Sequence, residues 1–302
     1  MMIELEKLST EENNPNSKDI ELQDSLEIVR RINEEDKKVA FCVEKELGSI
    51  SRLIDAILSK YKKETRIIYI GAGTSGRLGI LDASECPPTY GVSFEKVQGI
   101  IAGGNEAIFK AKENAEDKPE LGKQDLLNIN LTENDVVIGL AASGRTPYVL
   151  GAIEYANSIG AITGSITCSK SSDLSKVSQY PIEVPVGAEI VTGSTRMKAG
   201  TAQKMILNMI STTIMIKLGK VFSGYMVDVK TSNQKLIERA KRIIMKTANC
   251  DYEKASDTLK KSGNDVKTAI VMILLDIDKN MAMEKLNQCD ENVAKIIHEN
   301  LK

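Results

Sequence analysis

Residues 66–77 read RIIYIGAGTSGR, and this stretch decides the fold. Its first part, Arg66 to Ile70, is apolar and rich in β-branched residues, a composition that predicts a buried strand. Glycine, alanine, threonine and serine follow directly, as expected where a strand turns into a helix. Such a strand–turn–helix unit is the repeating element of parallel sheets, so the stretch predicts an α/β protein.

The same unit recurs further along the chain. Asp135 to Leu140 runs into AASGRT at residues 141–146, and Ala161 to Thr167 runs into a serine-rich turn. Additional strands are predicted at Val97 to Ala102 and at Pro181 to Val184. Because strands alternate with helical segments of about 10 to 15 residues, the sheet should be parallel and covered by helices on both faces. This pattern predicts a doubly wound, flavodoxin-like three-layer sandwich.

Helical patterns precede and follow the predicted sheet. Apolar residues recur at helical spacing between residues 20 and 62, which predicts two or three helices after a polar, extended arm at residues 5–18. Residues 196–218 are apolar on most sides of a helix, so this helix should be buried, and a second subunit could cover part of it.

The pattern of apolar residues changes in the C-terminal part of the chain. Short amphipathic helices are predicted after Asn249, and Asp251 to Leu275 resembles the three-helix fold of ubiquitin-associated domains. We therefore predict N-terminal helices at residues 1–62, a sheet domain at residues 63–230 and a helical region with a small bundle at residues 231–302.

Composition restricts the partners and the compartment. No stretch reaches the roughly 18 apolar residues of a membrane span, and a net charge of −2 gives nucleic acid no attractive surface. The N-terminus lacks the basic and apolar run of a secretory signal. The five cysteines are scattered without a CxxC pair, which argues against zinc and disulfides and suits a reducing compartment. These features predict a cytoplasmic protein.

The histidine content restricts the chemistry. The only histidine, His298, lies near the C-terminus and should be exposed on a terminal helix. Histidine catalysis is therefore not expected. Proton transfer near neutral pH would have to use carboxylate, cysteine, lysine or tyrosine side chains.

Three segments combine glycine, hydroxyl side chains and a cation at predicted helix starts. Unpaired N–H groups and the helix dipole at such positions attract anions, above all phosphate. For a single segment, N-capping by serine or threonine explains the residues equally well. Three segments at the carboxyl edge of one sheet favour binding. The candidate binding residues are Gly73, Thr74, Ser75, Gly76 and Arg77 in the first segment, Ser143, Gly144, Arg145 and Thr146 in the second, and Ser194, Thr195 and Lys198 in the third.

A dinucleotide site is the alternative for the first segment. Gly71, Gly73 and Gly76 fit the G-x-G-x-x-G pattern. No acidic residue ends a second strand about 20 residues later, which a Rossmann domain would require. A Walker A loop is excluded, because no Gly-Lys-Ser/Thr follows.

A carboxylate candidate, Glu85, precedes Pro87 and Pro88 at the predicted end of a helix. A carboxylate held in a rigid, apolar turn can have a raised pKa and act as a general acid. A solvated glutamate at a helix end is the simpler alternative. Cys86 has no basic neighbour in the sequence to form its thiolate, so we expect it to be structural.

Several long blocks resemble the N-acetylmuramic acid 6-phosphate etherases, which are related to the glucokinase regulatory protein and to other sugar-isomerase (SIS) domains. The likeness runs from about residue 8 to the end of the chain. The Ser-x-Ser-Gly-x-Thr motif of the wider group reads AASGRT here, so one phosphate-binding hydroxyl is missing at Ala141. The blocks are GAGTSGRLG at 71–79, DASECPPT at 82–89, IAGG at 101–104, AASGRTPY at 141–148 and GSTRMKAGTAQK at 193–204.

The resemblance implies a reaction and its catalytic residues. The family removes the D-lactyl group of its phosphosugar substrate with two acid/base glutamates, which correspond by motif to Glu85 and Glu116; Glu113 is a nearby competitor for the second role. It implies no metal and no organic cofactor, a small-molecule phosphosugar as the binding partner, and a homodimer. The alternatives are an aldose–ketose phosphosugar isomerase with a similar C2 base, and a non-catalytic phosphosugar-binding regulator.

Overall fold

A five-stranded parallel sheet organises the larger part of the chain in the computed structural model, which describes residues 11–110, 112, 114–229, 231 and 233–300. The strand order is β2-β1-β3-β4-β5, with every neighbouring pair parallel. This is the flavodoxin-like order, so the predicted doubly wound fold is confirmed. The strands are β1 (Ile67–Gly71), β2 (Val97–Ile101), β3 (Val136–Leu140), β4 (Ile162–Thr167) and β5 (Tyr180–Glu183).

Helices cover both faces of this sheet. Ile68 and Ile70 belong to a buried cluster with apolar residues of the helices that follow β2 and β3. The intervening Tyr69 points the other way, since successive strand residues face opposite sides, and it approaches Gly79 in the helix after β1. The helices are α1 (Ser25–Glu44), α2 (Leu47–Lys60), α3 (Gly73–Tyr90), α4 (Glu106–Phe109), α5 (Pro119–Asn128), α6 (Pro147–Ser158), α7 (Asp173–Val177) and α8 (Lys198–Lys217).

The C-terminal part consists of short helices around a core of its own. A short antiparallel pair, β6 (Val221–Phe222) and β7 (Tyr225–Met226), precedes them. Helices α10 and α11 are separated near Gly263, as predicted, and His298 lies exposed on the last helix. The helices are α9 (Gln234–Ala248), α10 (Tyr252–Lys261), α11 (Val266–Leu275), α12 (Lys279–Gln288) and α13 (Val293–Asn300).

Contacts divide the chain into two compact units. The first comprises Met1–Ser84 and Phe94–Ile210, and the second comprises Glu85–Ser93 and Ser211–Lys302. One boundary between the units falls within α3, one within α8, and one between α3 and β2. The domain bounds expected from the sequence stay a prediction. No helix in the described ranges is both long and apolar enough to span a membrane.

Two local predictions were wrong. Helix α3 does not end before the double proline, because it continues through Pro87 and Pro88 to Tyr90. Proline removes backbone hydrogen bonds, but Cys86, Pro87 and Tyr90 are buried, so packing holds the last turn in place. The described part of the N-terminal arm is not simply extended, since residues 15–17 form a 3-10 turn capped by Asn14.

Candidate active site

The first two predicted binding segments lie at the carboxyl ends of strands, whereas the third does not follow a strand directly, because β5 ends at Glu183 and the third segment begins only at Thr192. Gly71, at the end of β1, pairs with Leu140 at the end of β3. The strand order reverses between these two strands, and ligands of open α/β sheets bind at such a switch point. The first segment follows β1 and the second follows β3, so the fold brings both to one edge.

The first segment forms the start of α3. Gly73 is exposed and has a positive φ of 51°, a conformation that favours glycine. The Ser75 hydroxyl is buried and donates to Gln203 Oε1 at 2.8 Å. The Arg77 guanidinium donates to the carbonyl groups of Ala107 and Ile108, both at 2.8 Å. The side chains of Ser75 and Arg77 are therefore bonded within the protein, whereas Gly73 is exposed and Thr74 is half-buried; the roles of these residues as substrate ligands stay a prediction.

The second segment lines a polar cleft of about 340 Å³. Ser143 and Arg145 line this cleft together with the serine-rich turn after β4, residues 169–172. Thr146 is the N-cap residue of α6 but makes no side-chain capping bond, so its hydroxyl is not committed to the helix end. The sequence predicts this serine-rich turn but does not predict its place beside the second segment. The position of the turn directly after a buried strand is the feature of the sequence that indicates this place.

The third segment leads into α8, and two buried carboxylates bind the residues at the start of this helix. The Lys198 ammonium is buried and lies 2.5 Å from a carboxylate oxygen of Glu35. The main-chain N–H groups of Lys198 and Ala199 donate to the buried carboxylate of Glu189. The predicted ligand Lys198 thus has a protein partner, and its role as a substrate ligand stays a prediction. Ser194 and Thr195 are half-buried.

The pKa of Glu35, the carboxylate that pairs with Lys198, is strongly shifted. Burial alone would raise the pKa of this carboxyl group. Hydrogen bonds from Lys198, Lys38, Asn14 and Asn16 outweigh burial and lower the pKa of Glu35 to about 2. Glu35 is therefore a charged carboxylate at every pH at which the protein would work, and it is not a candidate proton donor.

The three segments lie close to one another. The bond from Ser75 to Gln203 joins the first segment to α8, the helix that begins at the third. A Cβ built on Gly200 of α8 would lie 3.6 Å from the Thr74 methyl group. The main-chain N–H of Cys168 donates to the carbonyl of Ala142 at 2.8 Å and so fixes the second segment beside the end of β4.

Glu116 lies beside the first segment. Its exposed side chain lines a cleft of about 250 Å³ together with Gly73, Arg77 and Lys112. Its carbonyl accepts the N–H of Tyr148 at 2.9 Å, so the start of α6 holds the Glu116 main chain in place. The competitor Glu113 lies outside the described residues.

Glu85 lies near the C-terminal end of α3, in the second unit, whereas Glu116 belongs to the first. Its side chain is exposed, and the neighbouring Cys86 is buried, as expected for a structural cysteine. Within the described ranges, no cluster of histidine, cysteine, aspartate and glutamate could hold a metal ion.

Comparison with known proteins assigns the family. Residues 49–157 match the glucokinase regulatory protein N-terminal SIS domain, and residues 115–213 match the SIS domain. The N-acetylmuramic acid 6-phosphate etherase of Clostridium botulinum (strain Eklund 17B / Type B) is 56% identical over 97% of both chains. That of Clostridium beijerinckii (strain ATCC 51743 / NCIMB 8052) is 55% identical over 98% of both. The chain belongs to the N-acetylmuramic acid 6-phosphate etherase family.

The sheet domain of this chain has a fold similar to that of a solved structure of a candidate phosphosugar isomerase. A candidate phosphosugar isomerase involved in capsule formation from Bacteroides fragilis NCTC 9343 superposes with a TM-score of 0.50 and 18% identity. The match covers 68% of this chain and 98% of that chain. At this identity the likeness concerns the fold, and it agrees with the strand order described above.

Proposed function

We propose that this member of the etherase family cleaves the D-lactyl ether of N-acetylmuramic acid 6-phosphate. The products are N-acetylglucosamine 6-phosphate and D-lactate, so the protein is a carbon–oxygen lyase of cell-wall amino-sugar catabolism. The observation that carries the proposal is the 56% identity over 97% of the chain to an etherase of that name. The proposal also accounts for three anion-attracting segments beside a carboxylate.

The proposed reaction is an elimination followed by a hydration. Opening of the sugar ring gives an aldehyde, which makes the C2 proton acidic. Glu116 removes that proton, the C3–O bond breaks, and Glu85 protonates the departing lactyl oxygen. Water activated by the Glu85 carboxylate then adds at C3, and the proton returns to C2. Two carboxyl groups suffice for these steps, which agrees with a chain whose only histidine is exposed on its last helix.

The substrate carries two anionic groups, the 6-phosphate and the lactyl carboxylate, and the three segments supply donors for both. Main-chain N–H groups at the start of α3, with the hydroxyls of Thr74, Ser143 and Thr146, are suited to such groups. Ser194 and Thr195 add hydroxyls from the third segment. We propose that these segments hold the sugar with its C2 and C3 toward the two glutamates.

A pair of glutamine variants tests the two roles. Glu85→Gln should abolish release of D-lactate and leave binding of N-acetylglucosamine 6-phosphate close to that of the wild type, because the amide keeps the shape and cannot transfer the proton. Glu116→Gln should abolish exchange of the C2 proton with solvent. Glu120→Gln, in the first turn of α5 and also exposed, is the matched control. Release of D-lactate by Glu85→Gln at the wild-type rate would refute the role of Glu85.

The same incubation separates the rival functions. An aldose–ketose isomerase would convert a phosphosugar into a ketose without lactate. A phosphosugar-binding regulator would bind without turnover.

We further propose that the protein is cytoplasmic and forms a homodimer with its sites near the interface. Leu26 and Val29 in the first turns of α1 and Leu22 in the 3-10 turn before it support the dimer, since these large apolar side chains are 66%, 57% and 78% exposed. Sedimentation velocity tests this point: a dimer that Leu26→Glu converts to a monomer supports it, and a monomeric wild type contradicts it.

A further inference from the structure

A buried ion pair connects α1 to the start of α8. The Lys198 ammonium lies 2.5 Å from one carboxylate oxygen of Glu35, and both residues are at least 97% buried, with exposures of 2% and 3%. The other oxygen of Glu35 accepts hydrogen bonds from Asn16 at 2.7 Å and from Lys38 at 2.6 Å. Glu35 therefore connects the N-terminal segment with the third binding segment.

The N-terminal segment also contacts the chain that leads into the third binding segment. The Asn14 amide donates to the carbonyl of Ala188 at 2.8 Å, and the Ser17 hydroxyl donates to the carbonyl of Ile190 at 2.6 Å. Asn14 is 6% exposed, so its bond is shielded from water. These contacts fix residues 188–190 from outside, immediately before the third segment.

The third segment depends on such support because residues 184–191, which form neither strand nor helix, separate it from the preceding strand. Strand β5 ends at Glu183, and α8 begins only at Lys198. A buried ammonium that loses its carboxylate is strongly destabilised, so Lys198 would leave its position if Glu35 lost its charge. Ser194 and Thr195 stand four and three residues before Lys198 and would move with it.

We propose that Glu35 is a positioning residue, which through Lys198 holds the third segment in the arrangement in which Ser194 and Thr195 bind the phosphosugar. The inference rests on the proposed function for the identity of that sugar. Glu35 itself is buried beneath the segment and does not contact the substrate. The N-terminal residues 14–17 belong to the same support.

The variant Glu35→Gln tests the proposal, because it keeps the shape of the side chain and removes its charge. We expect hydrogen exchange of the amides at residues 190–197 to accelerate about tenfold or more. The KM for N-acetylmuramic acid 6-phosphate should rise about tenfold or more, while kcat falls less, since a displaced binding segment weakens substrate binding first.

Lys38→Met is the matched control. It removes the second cation from Glu35 but does not touch the third segment, and its side chain is 56% exposed. Exchange at residues 190–197 and KM should both stay within about twofold of wild type, because water can replace the exposed Lys38 ammonium while the buried Lys198 stays paired with Glu35. Lys198→Arg, which retains the charge, should restore part of what Lys198→Met loses.

The outcomes are separable. If Glu35→Gln has the amide hydrogen exchange rates and the KM of the wild type, the proposal is overturned. A lower melting temperature with an unchanged KM would also overturn it, because Glu35 would then only stabilise the fold. If Glu35→Gln does not fold, Ser17→Ala takes its place, because it removes one hydrogen bond that supports residues 188–190. Ser17→Ala should accelerate amide exchange at residues 190–197 and raise KM by smaller factors, and wild-type values of both would overturn the proposal. If the wild type releases no D-lactate, the proposed function fails, and the exchange rates still decide the role of Glu35.

Discussion

Gly144 in the second segment gives the sharpest prediction about the site. Its φ of +66° lies in the left-handed region, and a Cβ built there would approach the Cβ and Oγ atoms of Ser172 to 2.3 Å. For Gly144→Ala the left-handed backbone costs about 1 to 2 kcal/mol. The overlap, well inside normal contact of about 3.5 to 4 Å, must be relieved by a shift that costs about 1 to 3 kcal/mol more. We expect a total loss of about 2 to 5 kcal/mol in the free energy of unfolding.

Urea unfolding with a matched glycine separates the two contributions. Gly224 has a φ of +79° with nothing within 4 Å of its built Cβ, so Gly224→Ala should lose only the backbone share of about 1 to 2 kcal/mol. Gly144→Ala should also raise the KM for N-acetylmuramic acid 6-phosphate, because its segment must move. The double variant Gly144→Ala with Ser172→Gly should recover the overlap share. Equal losses in the two single variants, or no recovery in the double variant, would refute the reasoning.

Three further predictions concern the framework. The pKa of Glu35 is lowered from 4.5 to about 2, so the charge of Glu35 stabilises the fold fully above pH 4.5. This contribution to the free energy of unfolding, about 3 kcal/mol at most, is lost as the pH falls toward 2. The difference in free energy of unfolding between wild type and Glu35→Gln, measured in urea, should therefore close over that range. Asp135→Asn breaks a buried ion pair with Arg66 before the start of β3 and should cost about 3 kcal/mol in urea unfolding without changing KM. Cys86 and Cys168 are buried, and burial raises the pKa of the Cys168 thiol. In the native protein both cysteines should therefore stay unmodified by iodoacetamide after the other cysteines have reacted, and peptide mass spectrometry measures this.

The sheet could be predicted because its signals are local. Strands β1 and β3 are short apolar runs followed by glycine and hydroxyl residues, as in residues 66–77, and the five predicted strands lie within a residue or two of the strands in the structure. The carboxyl ends of parallel strands meet at one edge, so the neighbourhood of the first two segments followed from the fold. Recognition of the long motif blocks added the reaction, which composition alone did not provide.

Features that depend on distant partners could not be predicted. Lys198 reads as a cation in a binding segment, but its carboxylate partner, Glu35, lies 163 residues earlier in the sequence. Helix α3 passes two prolines because neighbouring side chains are buried, and a local pattern does not show that burial. The sequence predicts the serine-rich turn at residues 169–172, and only the fold places it beside the second segment.

Incubation of the protein with N-acetylmuramic acid 6-phosphate in deuterium oxide tests the central claim most directly. Elimination and hydration predict D-lactate and N-acetylglucosamine 6-phosphate in equal amounts, with deuterium at C2 of the sugar by mass spectrometry and proton NMR. Lactate release with protium retained at C2, or a ketose phosphate without lactate, would contradict the proposed mechanism.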